Sequence, residues 1–172
     1  MLLLIRDLFL QVRTALFCLI FSVCSIQVIA QEQQIKRKFQ VEEPQLIELD
    51  SLFQIAKENL LEGETEVASR YLKRVIEGYG RAAEVYKARK NWEQTAFALT
   101  RQAEAERRIY EPDSAISTLG EARVILEKHV KPESFVWFRY YFVYGELFHR
   151  ITEYYKASTY LDSAQVIYER VN

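Results

Sequence analysis

Few residues in this chain have the types and spacing that chemistry requires. The best-placed pair is Glu146-Leu147-Phe148-His149. An E-x-x-H spacing on a helix puts a carboxylate and an imidazole on one face, the geometry of one half of a di-metal carboxylate centre. A complete centre needs a second such motif and two further facing glutamates, and no second E-x-x-H occurs in the sequence. The pair therefore reads as a polar couple lining a groove or facing solvent, and no metal is expected. His129 is the only other histidine. Cys18 and Cys24 are the only thiols, and both lie in the first thirty residues. Gly78-Tyr79-Gly80 lacks the third glycine, the preceding strand and the lysine of a phosphate-cradling loop. No serine sits in a strand-to-helix elbow context. These absences predict a protein that is not an enzyme and needs no cofactor.

The elements that must position these residues are helical. The 172 residues are 49% hydrophobic and 27% charged, with only 5 Gly and 3 Pro, too few for the tight turns of an all-β sandwich. Twenty-three Lys+Arg against 24 Asp+Glu give a net charge of -1, which excludes a polybasic nucleic-acid binder. No nucleic-acid partner is expected.

Residues 1–30 resemble an address rather than a domain. Arg6 and Arg13 precede an apolar run from Ala15 to Ile29, and Val28-Ile29-Ala30 ends in the small residue that a signal peptidase reads. This predicts cleavage before Gln31 and a periplasmic or secreted location. The alternative is an uncleaved membrane anchor, although Ser22, Ser25 and Gln27 interrupt the run. Membrane association is expected only in that case. Neither cysteine follows the small residue that lipidation needs. Cleavage removes both, so the exported fold is expected to rest on packing without disulfides. Residues 31–47 are polar and aperiodic and predict a flexible leader, ending near Pro44. From residue 48 to 172 helical periodicity dominates, with six helices expected at roughly 48–61, 65–89, 92–109, 113–129, 134–149 and 153–170. Asp50 and Asp113 are the expected helix N-caps, and Gly78 and Gly80 mark where the second helix is expected to kink or split.

A repeat organises these helices. The frame Ala157, Leu161, Ala164 recurs 42 residues earlier as Ala115, Leu119, Ala122, and 47 residues before that as Ala68, Leu72, Val75. Each frame has a small residue twelve positions upstream, at Gly145, Ala103 and Ala56. Small side chains let two antiparallel helices approach closely while a bulky neighbour fills the adjacent hole. Gly145 is accordingly predicted to face Ala157. The segment from Trp137 to Phe142 carries aromatic rings around more than a full helical turn, so some must face a neighbouring repeat or a ligand.

Small, aromatic, Ala, Leu and Ala at Gly145, Phe148, Ala157, Leu161 and Ala164 resemble the tetratricopeptide repeat, in the longer 42-residue step of the kinesin-light-chain-like variant. Residues 82–129 are also similar to the repeat arrays of exported bacterial proteins that carry a C-terminal CHAT (caspase-like) domain. The resemblance implies an all-α fold, an antiparallel helix-pair solenoid of about three units following the N-terminal segment. It implies a concave face lined by Phe97, Thr100, Glu104, Arg107 and Arg108 in the second unit, and by Arg139, Phe142, Glu146, His149 and Arg150 in the third. Two readings of that face stand together: a basic groove for an acidic or carboxylate-ended peptide, and a solvated face whose glutamates pair internally. The function implied is protein or peptide binding. The alternative is a regulatory repeat array of a CHAT-type peptidase whose catalytic domain lies elsewhere. Solenoids commonly end in a polar capping helix, and none follows residue 170, so the array is expected to continue or to be covered by a partner.

Overall fold

A computed structural model describes residues 44–171, which form one compact unit. The expected signal segment and most of the leader lie outside the described residues. Six helices follow one another: α1 (Pro44–Leu61), α2 (Thr65–Ala88), α3 (Trp92–Arg108), α4 (Pro112–His129), α5 (Phe135–Arg150) and α6 (Tyr154–Val171). The fold is all-α, as expected, and the described residues contain no strand. None of the described helices is long and apolar enough to cross a membrane.

One turn geometry makes four of the five connections between successive helices. Gly63, Lys90, Tyr110 and Thr152 each adopt a left-handed conformation, with φ of 85°, 57°, 66° and 66°. The next amide then donates to the carbonyl five residues back: Glu64 to Asn59 (2.8 Å), Asn91 to Tyr86 (2.9 Å), Glu111 to Glu106 (3.1 Å) and Glu153 to Phe148 (2.9 Å). This closes the helix end by satisfying an orphan carbonyl. The carbonyls of the same four residues accept the first bonds of the following helices, from Ala68, Thr95, Ala115 and Ala157. One residue thus ends one helix and begins the next. The remaining connection, between α4 and α5, is different: Val130 is extended, and the Ser134 hydroxyl accepts from the Val136 amide at 3.1 Å.

Each helix packs on its successor, and α3 also packs on α5. The core is continuous along the chain, from Phe53, Leu72 and Tyr79 through Leu119 and Leu126 to Val136, Tyr140 and Leu147. Small residues mark the closest approaches. A Cβ on Gly145 would stand 2.6 Å from Leu161 Cγ and 3.3 Å from the Leu161 amide nitrogen. Gly145 therefore receives Leu161, one turn beyond the predicted Ala157, because the bulky side chain itself fills the space the glycine leaves. Gly78 does the same for Leu49, whose Cδ2 an added Cβ would overlap. This close approach explains the glycine, and α2 runs through Gly78 and Gly80 as one helix instead of splitting there.

Both expected N-caps, Asp50 and Asp113, fall inside their helices. α1 begins at Pro44, so residues 44–47 belong to the helix and not to the leader; proline suits a first helical turn, and Leu46 is buried in the core. Asp50 consequently lies inside α1 and not at its cap. Asp113 lies in the first turn of α4, behind Pro112; Glu111 holds the N-cap position, without a side-chain cap hydrogen bond.

Candidate functional site

The face shared by α1, α3 and α5 carries an unusual density of charge for a packed surface. Its centre is Arg101, which sequence reasoning did not single out. Arg101 is buried, donates to Glu104 at 2.9 Å, and pairs with Asp50 of α1. Its guanidinium lies 4.4 Å from the centre of the Phe53 ring. The Tyr79 hydroxyl of α2 donates to Asp50 at 2.6 Å and accepts from Arg101 Nε at 3.4 Å. Three helices are thereby tied through one guanidinium.

Glu104 is the matching acidic hub. Its Oε2 accepts from Arg101 and from Arg139 of α5, both at 2.9 Å, and its Oε1 stands 3.6 Å from Arg108. Burial alone would push the Glu104 carboxyl up, but Arg101, Arg139 and Arg108 outweigh it and hold it well below the usual carboxylate range. Burial alone would lower the Arg101 pKa, and Glu104, Tyr79 and Asp50 reverse that to raise it. Tyr79 is raised mainly by burial.

The second cluster is more open. Arg107 is buried and donates to Glu146 of α5 at 2.6 Å. Burial lowers the Arg107 pKa, opposed by Glu146 and reinforced by Arg108. Arg107, Glu146, His149 and Arg150, together with Leu161 of α6, line a cavity of about 220 Å³. Arg150 lies over the Tyr110 ring at 4.0 Å, and His149 meets the Tyr154 ring edge-on at 5.5 Å.

The ten predicted groove residues therefore divide. Phe142, Glu146, His149 and Arg150 are accessible, and the last three meet at the cavity with Arg107. Thr100 is wholly buried and donates to the Ala96 carbonyl within its own helix at 2.8 Å, so it lines no open groove. Glu104 is buried as a hub, and Arg108 and Arg139 are drawn against it. Phe97 is half-buried beneath Arg139, whose guanidinium lies 5.7 Å from its ring centre. The packing of α5 onto α3 covers this part of the predicted face.

Other sequence features find structural roles. Gln102 and Glu106 of α3 bond one another at 2.8 Å, with Gln102 close to Gly80. His129 stacks on Trp92 at 4.4 Å. The aromatic rings of α5 point to several sides: Tyr144 and Phe148 stack on Tyr160 of α6, whereas Trp137 donates toward the Val130 carbonyl at 3.5 Å. Among the described residues, no group of three His, Cys, Asp or Glu side chains is arranged to hold a metal ion. Comparison with protein-family models, curated proteins and solved structures finds no match to this chain.

Proposed function

We propose that this chain is an exported, non-enzymatic helical-repeat protein of the tetratricopeptide type, binding a protein or peptide partner. The repeat reading is supported by four equivalent turns and by the burial of the recurring small residues Ala56, Ala103 and Gly145 and Ala68, Ala115 and Ala157. The export reading rests on residues 1–30 and implies a periplasmic or secreted location. Partner binding is carried by one observation. The accessible cavity beside α5 and α6 gathers Arg107, Glu146, His149 and Arg150 against the apolar Leu161. Convergent charged groups beside an apolar wall suit recognition of a polypeptide by a few directed contacts.

The recognition surface in this reading is the C-terminal half of the predicted groove, because the buried Glu104 holds Arg108 and Arg139 against itself. Capture from the envelope fraction of the source organism tests it. The wild-type chain should retain a partner that the Phe142→Ala, Arg150→Glu double variant loses, with unchanged helicity in both. Equal retention by the two proteins contradicts the assignment.

A further inference from the structure

The α3–α4 pair shows what a following helix covers. Its positions recur 42 residues later on α5 and α6, and α5 lies over the first set. Thr100, Leu119 and Leu126 are each 0% exposed, whereas their counterparts Phe142, Leu161 and Tyr168 are 41%, 36% and 36% exposed. These three lie along the α5–α6 seam, where Leu161 meets Gly145 and Tyr168 meets Phe138. Charged positions repeat the contrast. Glu104 and Arg107 are buried with partners from α5, and their counterparts Glu146 and His149 are accessible.

The helix that covers the first set presents charge in a fixed order. Arg139 of α5 donates to Glu104, and seven positions later Glu146 accepts from Arg107. Seven residues are two helical turns, so both charges lie on one face. Val136, Tyr140, Val143 and Leu147 supply the buried apolar stripe of α5. We infer that the α5–α6 face receives one amphipathic helix of another polypeptide, seated as α5 is seated on α3 and α4. That helix carries a basic residue toward Glu146 and an acidic residue two turns later toward His149 and Arg150. This rests on the partner-binding reading above and gives the partner a chemistry.

Both charged ends have capacity. Glu146 engages Arg107 through Oε2, leaving Oε1 for a second donor. Arg150 lies over the Tyr110 ring and forms no ion pair among the described residues. A second copy of this chain is a poor occupant. Its α1 carries Asp50 and Lys57 at the repeat positions of Arg139 and Glu146. End-to-end stacking would bring Asp50, already committed to Arg101 and Tyr79, to the place where Glu146 calls for a cation, and would set Lys57 on the side of His149 and Arg150. Like-charge contacts of this kind oppose the wrong partner, here an open filament of copies.

The test uses the full chain and two labelled synthetic peptides of about 18 residues, long enough to populate a helix. Both carry one alanine-rich frame with Val or Leu at the positions of Val136, Tyr140, Val143 and Leu147. One has Arg then Glu at the positions of Arg139 and Glu146, and the other has Glu then Arg. Fluorescence anisotropy should show the Arg-then-Glu peptide binding about tenfold tighter or more. Phe142→Glu should abolish that binding with an unchanged melting curve, and Arg150→Glu should erase most of the preference. Equal affinities, no binding of either peptide, or full binding by both variants would overturn the inference. A concentration-dependent dimer in sedimentation would overturn it in favour of a second copy. A cellular partner retained by wild type and lost by Phe142→Glu, beside no discrimination between peptides, would overturn the helix inference alone.

Discussion

Replacing Glu104 by glutamine changes one atom and removes the charge that three guanidiniums share. Arg101 and Arg139 both donate to Oε2 at 2.9 Å, and Arg108 stands at 3.6 Å from Oε1. Glutamine keeps one acceptor oxygen and turns an NH2 group toward the arginines. Breaking a buried charge pair on one side costs about 3–5 kcal/mol, because the remaining charge stays desolvated. That is a large part of the roughly 5–15 kcal/mol that holds a domain folded. The melting temperature should fall by about 10–20 °C. Denaturant titration of Glu104→Gln beside Arg123→Gln checks the reasoning, since the exposed Arg123–Glu127 pair should contribute less than about 1 kcal/mol. The pH dependence has a definite sign. Glu104 has a folded pKa below its ordinary 4.5, so its contribution is complete above that value and is lost as pH falls through the folded pKa. Wild type should lose stability progressively below about pH 4.5, and the glutamine variant should show a flatter acid limb. A loss under about 1 kcal/mol, or identical acid limbs, would refute the view of Glu104 as a buried hub.

Gly145→Ala should cost about 1–3 kcal/mol in denaturant titration, because its Cβ would meet the Leu161 backbone as well as its side chain, and Leu161→Ala should recover only part of that loss. Thr152→Gly should raise the unfolding free energy by about 1 kcal/mol, since a β-branched residue at φ 66° is strained where glycine is not. Arg139→Glu should destabilise the fold by setting two carboxylates together at Glu104, whereas Arg150→Glu should leave the melting curve nearly unchanged. Intact mass of the exported form should begin at Gln31, and retention of residues 2–30 in a membrane fraction would contradict cleavage.

The fold was legible where local pattern dictates structure. Helical periodicity and short polar turns placed five helices to within one residue at each end. The first helix started early because Pro44 reads as a breaker in sequence, yet serves as an initiator in a first turn. The site was half legible. Of the residues that the expected register put on one face, Glu146, His149 and Arg150 meet at one cavity with Arg107, but register carries no information on what lies opposite. Arg101 and Asp50 pair across 51 positions, and a charged residue inside a helical stripe reads as solvated until its long-range partner is known. Thr100 and Phe142 show the same gap: one register position is sealed under α5, and the other is exposed on α5 itself.

Hydrogen exchange of the full chain with and without its captured partner addresses the central claim most directly, because it reports where the partner lands. The account predicts slowed exchange in the C-terminal half of α5, from Phe142 to Arg150, and along α6 from Tyr154 to Tyr168, with little change in α1 and α2. Protection confined to α1 and α2, or to the outer surface around Val85 and Val124, would contradict it.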